Sequence, residues 1–210
     1  EDLALEQFGN RIPQFSFEVM RPTQKIGGDI PADLSEAITS VALMPGSGEY
    51  ALAQTPVFYD DGQGRSRSAN AHAPSGDADM PLAVEALVEE LPNCKSASLI
   101  VSWFGDDLRC GDCTLTPRVE DHGSEVDAMP WSVSGLLRST AQKVPYIDDR
   151  PAYGGTPTDQ SVIEAIQKLQ FEGQEVLFYP FILMTQLDGN ALPDPWRGGT
   201  QPALPWRGRI

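Results

Sequence analysis

The sequence predicts an α/β fold built on parallel strands, and three observations carry that expectation. Residues 97–104 and 175–184 are near-continuous apolar runs, as expected of strands covered on both faces. Between them lies one well-marked helix signal, starting near Thr156 and ending at Gly173. A strand, a helix and a second parallel strand make a right-handed crossover unit, the building block of barrels and doubly wound sheets. A smaller α+β segment precedes this unit.

The elements follow in chain order. From Ile12 to Met20 apolar and polar residues alternate, with Ile12, Phe15, Phe17 and Val19 set against Gln14, Ser16 and Glu18, which predicts a half-buried strand. Over residues 31–44 the apolar positions Leu34, Ala37, Ile38 and Val41 fall at steps of three and four before Pro45 and Gly46, which predicts an amphipathic helix. A strand is expected over 50–59, interrupted by Pro56, and a linker or loop over the polar, glycine- and serine-containing stretch 60–79. Residues 81–91 read as a helix that turns Leu82, Leu87, Val88 and Leu91 inward, with Pro92 and Asn93 as its stop.

The spacing between the first apolar strand and the later helix is about 50 residues, against a usual strand-to-helix loop of about 2–6. Residues 105–155 are therefore read as an inserted β-excursion at the rim, with strand-like stretches at 114–119 and 131–138. The helix after it has Thr156 as N-cap, Pro157 at the first helical position, Asp159 at the third to match a capping box, and a buried stripe of Val162, Ile163, Ile166 and Leu169. Pro180 lacks the N–H a central strand needs, so a bulge is expected there. The division that results is 1–79 for the first segment and its linker, and 80–210 for the parallel unit.

Bulk properties bound the function. Fifteen Lys and Arg against thirty Asp and Glu give a net charge of −15, which repels nucleic acid and anionic membrane over most of the surface. No window approaches the roughly 20 apolar residues of a membrane span, and the first residues lack the pattern of a signal peptide. Nineteen Gly and eighteen Pro point to a loop-rich chain with short elements. The chain opens at Glu1 without Met and stops just after a Pro-Trp-Arg-Gly-Arg run, which reads as a fragment.

Few residue groups carry a chemical signal. Cys110 and Cys113 form a C-x-x-C, with Cys94 sixteen residues before Cys110; three thiols, with His72 and His122 as further donors, leave open a metal site, a local disulfide or plain thiols. Asp106, Asp107, Asp112, Glu120, Asp121, Glu125 and Asp127 crowd the excursion without the spacing of a calcium loop, and read as a solvated acidic surface. Asp106 and Asp107 are adjacent, so they point opposite ways and make a poor catalytic pair. A small repeat places Trp196 and Arg197, then Trp206 and Arg207, in loops where they could contact a glycan or a protein partner. No nucleotide-binding glycine loop, nucleophile elbow or zinc-protease motif is present, and neither a cofactor nor a catalytic residue is assigned.

Several longer stretches carry a family resemblance. SLIVSWFGDDLRCGDC at 98–113, RPAYGGTPTDQS at 150–161, FYPFILM at 178–184 and the closing LPWRGRI resemble the glycoside-hydrolase-like TIM-barrel segment of the large "megatron" tail-tip proteins of gene transfer agents and related siphophages. FGNRIPQFSFEV at 8–19 is similar to a stretch common in phage tail-hub proteins, and VALMPGSGEYAL at 41–52 fits the segment before the barrel. The resemblance implies a partial TIM-barrel-like (β/α) unit behind a hub-type α+β segment, since a full barrel takes about 250 residues. It further implies a virion component at the tail tip or baseplate, a homotrimer around the tail axis contacting the hub and distal tail proteins. Its expected role is tail assembly and host attachment; the alternative is a barrel that degrades or binds host surface glycan.

Overall fold

The computed structural model describes residues 34–205. In it the chain forms a mixed α/β fold around one parallel sheet. Helix α1 (Leu34–Ala37) is a single turn and leads into β1 (Ser40–Leu43). A hairpin follows, β2 (Phe58–Gly62) and β3 (Arg65–Ser68), then α2 (Asp79–Glu90) and β4 (Ser96–Gly105). Seven two-residue strands build the excursion: β5 (Leu115–Thr116), β6 (Arg118–Val119), β7 (Ser132–Val133), β8 (Leu136–Leu137), β9 (Gln142–Lys143), β10 (Tyr146–Ile147) and β11 (Arg150–Pro151). Helix α3 (Asp159–Phe171) and β12 (Glu175–Met184) close the order.

The sheet runs β1-β4-β12, all parallel, with β5 antiparallel to the end of β4. Both long apolar runs are thus strands, and β4 is shared by two strand-helix-strand units. The sheet also draws on both sides of the division at Asp79, because β1 pairs with β4 along its whole length. Side chains alternate across a strand, so Ala97, Leu99 and Val101 of β4 share one face. They form the main core with Met80, Val84 and Leu87 of α2 and Ala165 and Leu169 of α3. The two helices touch each other as well, so both lie on that face.

Several expectations need correction. The helix expected over 31–44 is, within the described residues, one turn followed by strand β1. Val41 and Leu43 also satisfy a period of two, and β-strand pairing with β4 buries them against the core, which the helical reading would not. In 50–59 only Phe58 and Tyr59 are strand; Tyr50–Ala53 is a buried turn whose residues pack inward. The linker read over 60–79 is a hairpin and an anchored return. Asn70 is fully buried: its Oδ1 accepts from Val57 N at 2.7 Å, its Nδ2 donates to Thr55 O at 3.0 Å, and its carbonyl accepts the first amide of α2, Asp79 N, at 2.8 Å. On α2, Val88 is exposed and Met80 and Val84 are buried instead, a rotation of the stripe.

The start of α3 also differs. Its N-cap position is Thr158, not Thr156, and neither threonine caps the helix with its side chain. Both hydroxyls are used by the excursion: Thr156 Oγ1 accepts from Arg118 N at 3.1 Å, and Thr158 Oγ1 exchanges bonds with the backbone of Ser132. Asp159 accepts from Ser134 N at 2.8 Å rather than from its own helix. Tertiary partners have displaced the local cap. At the other end Gly173 stands as expected: with φ of 77° it lets Gly173 N reach Gln170 O and Gln174 N reach Leu169 O, a Schellman pair. No bulge forms at Pro180, and the β12–β4 register is unbroken. Glu175 N bonds Lys95 O and Thr185 N bonds Gly105 O, so the odd residues of β12 face β4. Pro180, being even, turns its missing N–H to the open edge, where it costs nothing. The strand expected over 12–20 lies outside the described residues.

Candidate functional site

Parallel strands end together, so the segments leaving β1, β4 and β12 meet at one rim. There the excursion folds over the sheet face opposite the helices. Ser102 Oγ donates to Gly155 O at 3.0 Å, and the Phe104 and Tyr153 rings lie 6.1 Å apart. Between this cover and the sheet runs an apolar groove of about 340 Å³, whose floor is Ile100, Ser102, Phe181 and Leu183. A second, polar groove of about 450 Å³ lies on the far side of the Gly46–Gly48 backbone and is bounded by Tyr59, Arg67, His72, Asp79 and Glu120.

Behind both grooves sits a buried ion pair that sequence reasoning did not single out. Arg138 Nη2 meets Glu49 Oε2 at 2.6 Å and Tyr50 Oη at 3.0 Å, and Nη1 donates to Asp121 O at 2.7 Å. Both side chains are essentially without solvent contact. Glu49 also accepts from Glu120 N through Oε1, at 2.7 Å, and its carbonyl accepts from Thr158 N at 2.9 Å. One residue therefore ties the segment after β1 to the excursion and to the start of α3. Burial pushes the Glu49 carboxyl up, while the hydrogen bond and charge of Arg138 pull the other way. Arginine keeps its proton in such surroundings, and the 2.6 Å contact sets that charge against the carboxyl. Burial also raises the Tyr50 hydroxyl to about 12 and lifts that of Tyr59 well beyond its usual range, so both are neutral, and Tyr50 Oη accepts from Arg138.

The geometry explains the Gly154–Gly155 pair. A Cβ on Gly154 would come within 2.5 Å of Gly48 N, and one on Gly155 within 2.6 Å of Glu49 Cγ. Backbone here packs directly on backbone and on the buried carboxylate. Adjacent glycines are the one local feature that could have pointed to the clamp; Glu49 and Arg138, 89 residues apart, leave no local trace. Trp131 seals the same region, buried with its Nε1 donating to Thr156 O at 2.8 Å.

No protein-family model and no curated protein matches the chain. Its site is therefore read from geometry alone.

The residues singled out from sequence are dispersed. Cys94 is buried at the start of β4, whereas Cys110 and Cys113 lie past its end; a ten-residue strand, on the order of 30 Å, separates them, so the three thiols are not brought together. His122 is bound to Ala141 O at 2.8 Å. Among the described residues no group of three or more His, Cys, Asp or Glu is placed to hold a metal ion. Trp196 is 52% exposed in a loop turned by Asp194, whose Oδ1 accepts from Trp196 N and Arg197 N. Trp206 and Arg207 lie outside the described residues.

Of the acidic cluster, Asp107 is not solvated. It is buried, paired with Arg109 at 2.6 Å and bonded to Gln201 Nε2 at 2.8 Å. The Arg109 hydrogen bond holds its carboxyl well below the usual carboxylate range. Gln201 Oε1 in turn accepts from Leu108 N and from Gln186, which fixes the loop after β12 to the end of β4. Neighbouring Asp106 is exposed and accepts from Thr114 N, so the two aspartates do diverge. Among the described residues no helix is long and apolar enough to cross a membrane.

Proposed function

We propose that this chain is a structural component of the tail tip or baseplate of a phage or gene transfer agent, acting in tail assembly and attachment to the host envelope. The observation that carries the reading is the outer strand β12. Its edge is unpaired within the described residues, and Leu177, Phe178 and Tyr179 are 58%, 46% and 47% exposed on its two faces. Ile163 and Phe171 of α3 are exposed as well, at 54% and 85%. Parallel sheets are ordinarily covered on both faces, and exposed apolar side chains along an unpaired edge offer a surface on which another protein can pack. The family resemblance at 98–113, 150–161 and 178–184 supports the same assignment.

The finer fold reading is a partial TIM-barrel-like unit. Strand order β1-β4-β12 with both helices on one face supports it, because a doubly wound sheet carries helices on both faces. Other tail proteins, the hub and distal tail protein, and further copies in a trimer are the partners this role requires. The test is composition: tail particles purified from cells carrying the gene should contain peptides of this chain at a fixed small copy number. Particles that assemble, attach and deliver normally without it would sink the proposal.

A second reading, a barrel that binds or degrades host surface glycan, is favoured by Trp196, whose exposed indole can stack on a sugar ring. On a glycan array Trp196→Ala should then lose signal; an unchanged array removes the platform.

A further inference from the structure

We infer that Cys110 and Cys113 are a dithiol that closes reversibly into a disulfide, making the turn after β4 a redox-modifiable site. The two thiols sit on one helical turn: Asp112 N and Cys113 N both donate to Arg109 O, each at 3.0 Å. Residues three apart on such a turn have Cβ atoms about 5–6 Å apart, a small adjustment from the roughly 3.5–4.5 Å that a disulfide needs. Gly111, between them in sequence, carries no side chain, and a Cβ placed there would meet nothing within 4 Å, so the turn is not packed against other elements at that point. Cys110 is exposed and Cys113 half-buried, so an attacking thiolate and a resolving thiolate are both reachable from solvent. Cys94 is an internal control: it is 1% exposed, under the helices, with its Sγ–H toward Ser96 O at 3.5 Å.

The chemistry balances with a small-molecule disulfide as oxidant. The Cys110 thiolate attacks one sulfur of that disulfide and releases one thiol, leaving a mixed disulfide on Cys110. The Cys113 thiolate then attacks the Cys110 sulfur and releases the second thiol. Two electrons pass from the pair to the small disulfide, and the two protein thiol protons end on the released thiols. The closed bond staples the turn that carries Arg109, whose guanidinium grips Asp107 and Asp112. Through Asp107 and Gln201, whose Nε2 also donates to Pro193 O at 3.1 Å, it braces the loop bearing Trp196.

The full chain is incubated with oxidised glutathione, alkylated and digested with trypsin. Cleavage after Arg109 and Arg118 yields one peptide, 110–118, holding both cysteines. That peptide should appear two hydrogens lighter and unalkylated, return to the alkylated form after dithiothreitol, and behave the same in Cys94→Ser. Native cleavage after Arg109 should slow several-fold on oxidation. Cys110→Ser and Cys113→Ser should each stop at a glutathione adduct or a thiol. A native chain whose peptide stays fully alkylated, stops at the adduct, or crosslinks through Cys94 or between chains would overturn the inference.

Discussion

Around Glu49 the chain answers its own charges. The carboxylate has Arg138 on one oxygen and the Glu120 amide on the other, and the guanidinium has Tyr50 and the Asp121 carbonyl besides. Along the first half of β12 the chain leaves apolar side chains exposed: from Leu177 to Met184 no residue is charged, in a protein of net charge −15, and the first three are half exposed. One region is closed by partners far apart in sequence. The other presents half-exposed apolar side chains along an edge that is unpaired among the described residues. Their difference separates what the fold needs in order to stand from what it presents outward, and mutations should affect the two in opposite ways.

The largest effect is expected at the clamp. A buried ion pair is weak evidence for net stability, yet removing one partner leaves an uncompensated charge. Arg138→Met should therefore destabilise the chain by about 3–5 kcal/mol, read as a lower urea midpoint. Adding Glu49→Gln should recover part of that loss. A single variant that unfolds at the native midpoint would break the contrast. Gly154→Ala comes next: its Cβ would press on the Gly48 backbone, which cannot rotate away, so a loss of about 1–3 kcal/mol is expected. Gly111→Ala, facing open space, is the control and should stay within about 0.5 kcal/mol.

Asp107 tests the same rim by pH. Its carboxyl is held below the usual range by Arg109, so the folded state binds its proton less readily than the unfolded chain. The stability it contributes is present above the unfolded value of about 4 and is lost as pH falls below it. Asp107→Asn should cost about 1–3 kcal/mol at neutral pH and flatten the acid limb of the stability curve. An unchanged acid limb would mean that Gln201 and not the charge holds the loop.

What the sequence revealed follows from how locally each feature is encoded. Strands β4 and β12 were legible because each is a long, nearly uninterrupted apolar run; only β4 is covered as such a run predicts, while much of β12 lies exposed at the edge. The C-cap at Gly173 was legible because only a local backbone angle is at stake. The start of α3 was misread because Thr156, Thr158 and Asp159 make good caps in isolation but are claimed by Arg118, Ser132 and Ser134. Residues 60–79 looked like a linker because Asn70, which anchors them, is a polar residue whose burial depends on Thr55, Val57 and α2. The clamp was invisible for the same reason: a lone Glu and a lone Arg look like surface until the fold joins them.

The smallest effect on folding should come from the outer strand, and there the contrast is sharpest. Phe178 is already 46% exposed and contributes little to the core, so Phe178→Glu should leave the urea midpoint within about 0.5 kcal/mol of native. Tyr179→Lys, on the opposite face of the strand, should do the same. Both changes place a charge on an edge strand that pairing could extend, though Pro180 already removes one donor from it, so a partner must gain more from packing on Leu177, Phe178 and Tyr179 than from backbone bonds. If β12 is an assembly surface, either variant should fold normally and drop out of tail particles, measured as copies per particle against the native chain. Normal incorporation of both would move the docking surface elsewhere on the molecule, whereas global unfolding by either would show that β12 belongs with the clamp.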